Sequence, residues 1–167
     1  MFDLYGFLCD CPACSLEGEE RRRDNDQRRL LKSLDNHVEK LLYVIDTRED
    51  CDENGTDLDK IQDIIENLKI TVPEPRDIDE EDLNDIHDVL FAIKILILKL
   101  HLMNSLGFKV VTQLSVYKYI LEICEEWDLA EIARDISSEG ARLARILYGE
   151  TGEQLNFWSD VHRKLRS

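Results

Sequence analysis

Apolar residues recur at three- and four-residue steps along most of this chain, and that period constrains its fold more than any other feature. Leu30, Leu31, Leu34, Val38, Leu41, Leu42 and Ile45 follow it, as do Leu58, Ile61, Ile64, Ile65 and Leu68. A longer run continues through Leu83, Ile86, Leu90, Ile93, Ile97, Leu100 and His101. Residues three or four apart share one face of an α-helix, so each run predicts a helix with one buried stripe. Only 3 prolines and 7 glycines interrupt the 167 residues, and no strand-like run is long enough to build a sheet. The expected fold class is all-α. It is either a helical bundle or a set of tetratricopeptide-like hairpins, preceded by an irregular, cysteine-rich segment.

The breaks between runs are equally legible. Residues 46–57 are polar and contain an Asn54-Gly55 turn signal. Pro73 and Pro75 stop the second helix, and Asp79 is placed to cap the third. Asn104 and Gly107 read as its C-terminal stop. Two further helices, about Val110–Glu126 and Leu129–Tyr148, meet at a tight Trp127–Asp128 junction. Gly149 and Gly152 then bound a final helix through Leu165. Ala130, Ala133, Ser137, Gly140, Ala141 and Ala144 line the second member of the pair, and small side chains let helices approach closely. The expected organisation is a cysteine-rich segment over 1–16, a charged stretch over 17–29 and a helical domain over 30–167. The charged stretch reads either as a linker or as the solvated start of a helix, with Asp24 or Asn25 as a possible cap.

The net charge is −15. Such a surface repels a phosphate backbone, which argues against nucleic acid as the main partner. It suits a protein or peptide partner, including a basic, histone-like one. The most apolar stretch, Val89–Leu102, is interrupted by Lys94, Lys99 and His101, so no membrane span is expected. The first residues lack the basic and apolar blocks of a secretory signal. The expected location is intracellular, in the nucleus, the cytoplasm or both.

Five cysteines without a secretory signal favour metal binding over a disulfide framework. Three of them crowd into Tyr5-Gly6-Phe7-Leu8-Cys9-Asp10-Cys11-Pro12-Ala13-Cys14. Thiolates at C-x-C and C-x-x-C spacing can converge on one zinc ion, but a closed structural site takes four ligands. An unrelated zinc knuckle and unligated cysteines are the competing readings.

This aromatic-x-Phe-x-Cys-x-Cys-x-x-Cys stretch resembles the post-SET motif of SET-domain protein-lysine methyltransferases, above all the SET-and-MYND class and its fungal relatives. The resemblance covers about the first thirty residues; the helices after them agree in type. It implies that Cys9, Cys11 and Cys14 hold zinc together with a cysteine of an Asn-His-x-Cys motif in the SET core. It further implies that Tyr5 lies at the lysine channel and that Phe7 packs near the adenine of S-adenosylmethionine. No SET core accompanies the motif in this sequence, so the chain alone is expected to have no methyltransferase activity. The alternative is a helical protein-interaction module with a vestigial cysteine cluster.

Other patterns read as decoys. Asp50-x-Asp52-x-Asn54-Gly55 copies half of a calcium loop, but Ile61 stands where the bidentate glutamate belongs. Arg21, Arg22 and Arg23 are neutralised by neighbouring carboxylates. His37 or Cys51 is available to complete the zinc site, though no spacing selects either. Cys124 shares a face with Ile120 and Leu121 and reads as a small buried hydrophobe. Trp127, Phe157 and Trp158 are expected to pack helix ends.

Overall fold

Each apolar run folds as a helix. The structure, a computed structural model, describes residues 15–47, 55–73, 75, 83–149 and 153–165. Among them are six helices: α1 (Gly18–Thr47), α2 (Gly55–Asn67), α3 (Leu83–Ser105), α4 (Val110–Glu126), α5 (Ala130–Tyr148) and α6 (Glu153–Lys164). No strand occurs among the described residues. The chain is all-α, and its helices pack as a bundle around one core cluster.

The centre of that bundle is α3. Val89, Ala92, Ile93, Ile95, Leu96 and Leu98 are each at most 1% exposed. These positions span well over half of the helix's circumference, with His87, Lys94 and His101 on the remaining side, so α3 must be covered from several directions. It is packed by α1, α2 and α4. The covering helices bury only a stripe, such as Leu34 and Val38 of α1 or Ile61 and Ile65 of α2. No helix among the described residues is long and apolar enough to cross a membrane.

From Gly18 onward the charged stretch is helix, not linker, and Asp24 and Asn25 lie inside α1 rather than capping it. The reason is local. Arg28 Nε bonds Asp24 at 2.7 Å and Arg29 reaches Asp26 at 3.5 Å. Ion pairs at these spacings support a solvated helix by a few tenths of a kcal/mol each, roughly.

Two helices end in the same six-residue device. After α2, the N–H of Lys69 donates to Glu66 O and that of Ile70 to Ile65 O, both at 3.0 Å. After α3, Gly107 donates to Asn104 O at 3.1 Å and Phe108 to Met103 O at 2.8 Å. This is the Schellman motif, which requires a left-handed residue one place beyond the helix cap. Gly107 adopts φ 71° easily; Lys69 is held at φ 53° against its side chain. The end of α4 is related: Leu129 N–H donates to Cys124 O at 2.8 Å, and Asp128 turns the chain at φ 52°. Leu68, the last residue before the α2 turn, is half exposed although the apolar period placed it on the buried face.

The small residues of α5 do what their size predicts. Ala133, Ser137 and Ala144 are at most 2% exposed. A Cβ at Gly140 would overlap the ring of Trp158, so the indole lies against bare α5 backbone. Trp158 is itself buried, with Phe157 edge-on at a ring separation of 5.4 Å. At the far end of the junction, Arg134 Nε donates to Leu165 O at 3.2 Å and satisfies a carbonyl of the final turn.

Candidate functional site

Tyr5, Phe7, Cys9, Cys11 and Cys14 lie outside the described residues, as do Cys51 and Asp50–Asn54. Among the described residues, no group of three or more His, Cys, Asp or Glu side chains could hold a metal ion. Ile61 is 2% exposed in the core, which leaves the calcium-like pattern without its carboxylate at that position. His37 lies on the core side of α1, and its Nδ1 is buried without a hydrogen-bond partner. His87 and His101 are exposed. Cys124 is 1% exposed. Burial, assisted by Glu125, pushes its thiol up to about 12. A thiol held protonated in this way is neither a nucleophile nor a ready metal ligand.

Two concave features of the described surface flank α4, one on each side. The first is a trough of about 320 Å³ between α3, α4 and α5. Leu100, Ile136 and Leu143 form its apolar floor. On its rim, Arg142 grips Glu139 through two hydrogen bonds, the Nε one at 2.8 Å. That grip holds the Glu139 carboxyl below its usual range despite partial burial. Tyr117 stands beside the pair; burial first, then the Glu139 charge, raises its phenol. Gln113, at the base of α4, donates to Phe108 O at 3.1 Å and braces the turn after α3. Glu139 and Arg142 are committed to one another, an arrangement that shapes a rim.

The second feature is a cleft of about 390 Å³ between α4, the end of α5 and α6. Val111, Leu114, Tyr148, Phe157 and Trp158 line it, with Lys118 at one edge. Val111, Tyr148 and Phe157 are between 40% and 48% exposed. Farther along the same face of α4 stands Tyr119, 36% exposed. Burial raises its phenol, and the charges of Glu39, Glu122, Asp35 and Glu126 raise it further. Two of those carboxylates belong to α1, which therefore faces α4 across this end of the surface.

Neither feature was singled out from the sequence. A usable signal was present: Val111, Tyr119, Tyr148 and Phe157 are apolar or aromatic residues outside the buried stripes of their helices. In comparisons with known proteins, the chain matches no family model, no curated protein and no solved structure.

Proposed function

We propose that this chain is the C-terminal region of a SET-domain protein-lysine methyltransferase. In this reading Cys9, Cys11 and Cys14 supply three zinc thiolates, and the helices form a wall for substrate or partner protein. The carrying observation is the stretch Tyr5-Gly6-Phe7-Leu8-Cys9-Asp10-Cys11-Pro12-Ala13-Cys14 set before an acidic helical region. The donor set suits zinc and is one ligand short of a closed site. The fourth thiolate then comes from a SET core, and closing the cage brings Tyr5 and Phe7 to the lysine channel and the cofactor pocket. S-adenosylmethionine supplies the methyl group when bound to the complete enzyme. Methyl transfer needs lysine, cofactor and channel held in one geometry, so the helical region alone has no turnover.

Zinc competition with a chromogenic chelator tests this. The isolated chain should bind zinc weakly, and serine at Cys9, Cys11 or Cys14 should abolish the binding. Fusion to a SET segment with an Asn-His-x-Cys motif should convert it to tight one-to-one binding. Tight binding by the isolated chain, or binding indifferent to the three cysteines, would remove the reading.

The exposed aromatic cleft on α4 favours a second reading, a helical protein-interaction module whose cysteines take no part in methyl transfer. Partner binding that is unchanged when all three cysteines are serine, in a chain that gains no activity from a SET core, would select it.

A further inference from the structure

Along α4, Val111, Ser115, Tyr119, Glu122 and Glu126 follow one another at three- and four-residue steps, and all are exposed. They form one continuous helix face that neighbours cover only in part. Its two ends differ in chemistry. At the N-terminal end, Tyr148 and Phe157 join Val111 around the apolar cleft, with buried Trp158 as part of its wall. At the C-terminal end, Tyr119 feels the charges of Asp35 and Glu39 of α1 and of Glu122 and Glu126 one turn and two turns along α4. Two cations temper that end: Lys99 pairs with Asp35, and Lys118 lies 3.8 Å from Glu122. Glu39 and Glu126 remain outside any ion pair among the described residues.

We propose that this face of α4 docks a short amphipathic segment of another protein that carries lysine or arginine beside apolar side chains. An apolar anchor fills the cleft against Phe157 and Tyr148, burying surface that water now covers. A cationic side chain lies over the Tyr119 ring, where the aromatic face and the Glu39 and Glu126 carboxylates attract it together. Charge selects this occupant over a second copy. With a net charge of −15, two chains would bring like-charged surfaces together, whereas a basic segment relieves the acidic excess. The inference uses α4 and its neighbours alone, so it stands or falls separately from the zinc reading.

The test is fluorescence anisotropy on the full chain with three synthetic peptides: leucine–lysine amphipathic, leucine–glutamate amphipathic, and lysine–serine. The leucine–lysine peptide should bind, and the other two should bind at least about tenfold more weakly. Tyr119→Ala and Phe157→Ser should each weaken it by about tenfold. Glu19→Gln with Glu20→Gln, on the exposed first turn of α1, should change it less than about twofold. Circular dichroism verifies folding, and Val111→Ser, at a 48% exposed position, replaces Phe157→Ser if that variant unfolds. Absence of binding, or equal weakening by the Glu19 and Glu20 control, overturns the proposal. So does equal binding of the leucine–glutamate or lysine–serine peptide. A dimer in sedimentation that Phe157→Ser dissociates also overturns it, by assigning the face to a second copy.

Discussion

Two helix junctions in this molecule solve the same problem in opposite ways. Where α1 meets α3, burial is spread over branched aliphatics: Leu34 and Val38 from α1 meet a helix that buries aliphatics over most of its circumference. A Lys99–Asp35 ion pair bridges the same two helices. Where α5 meets α6, small residues clear a path and a single indole fills it, with Gly140 under Trp158. The first junction loses a share of its packing whenever any one side chain is shortened. The second has one point of failure, and it fails on addition of a methyl group as well as on removal of a ring. Dispersion spread over many contacts tolerates local adjustment; one close backbone approach does not.

Trp158→Ala should give the largest loss, about 3–5 kcal/mol in urea unfolding. Leu34→Ala should cost less, about 2–4 kcal/mol; a Leu34 loss exceeding that of Trp158 would break the contrast. Gly140→Ala should destabilise by about 1–3 kcal/mol through overpacking, although alanine is the better helix former by roughly 1 kcal/mol. The sharper form is a double variant. With Trp158→Ala in place, Gly140→Ala should become neutral or stabilising, because only the propensity gain is left. A penalty that persists there would show that Gly140 answers to something other than the indole.

Smaller effects probe the regions flanking these junctions. Lys69→Gly should stabilise by about 1 kcal/mol, since glycine adopts the left-handed cap without a Cβ clash; thermal unfolding would register it. The smallest effect concerns pH. Glu139 has a folded-state pKa below its ordinary 4.5, so its contribution is present above that value and lost as pH falls through the lower folded value. Carbon-detected titration of the Glu139 carboxyl should give a midpoint below 4.5 that rises to that value or above it in Arg142→Ala, because only burial, which raises it, then acts. An unchanged midpoint would detach the pair from the trough rim.

Much of this fold was legible in the linear pattern. The Gly107 stop, the tight turn at Asp128 and the small face of α5 were all visible as residue types with a mechanical reason. The start of α1 was less so, because apolar period is silent where a helix is solvated all round and supported by Asp24–Arg28 pairs. Leu68 was misplaced because periodicity gives a residue's face but not whether a neighbour covers it: Leu68 keeps its helical bond to Ile64 O at 3.0 Å and is still half exposed. The surface of α4 escaped for a related reason. Tyr119 and Phe157 count as ordinary apolar residues until their neighbours fail to cover them.

Local chemistry alone determined that this chain is helical, roughly where its helices begin and end, and which stripe each one buries. Those properties depend on residues within a turn or two of one another. Tertiary packing decided that α3 lies at the centre, that Trp158 rests on Gly140, and that the charges of α1 carboxylates reach a tyrosine of α4. Such pairings join residues far apart in the chain, and they arise only when every buried stripe is covered at once.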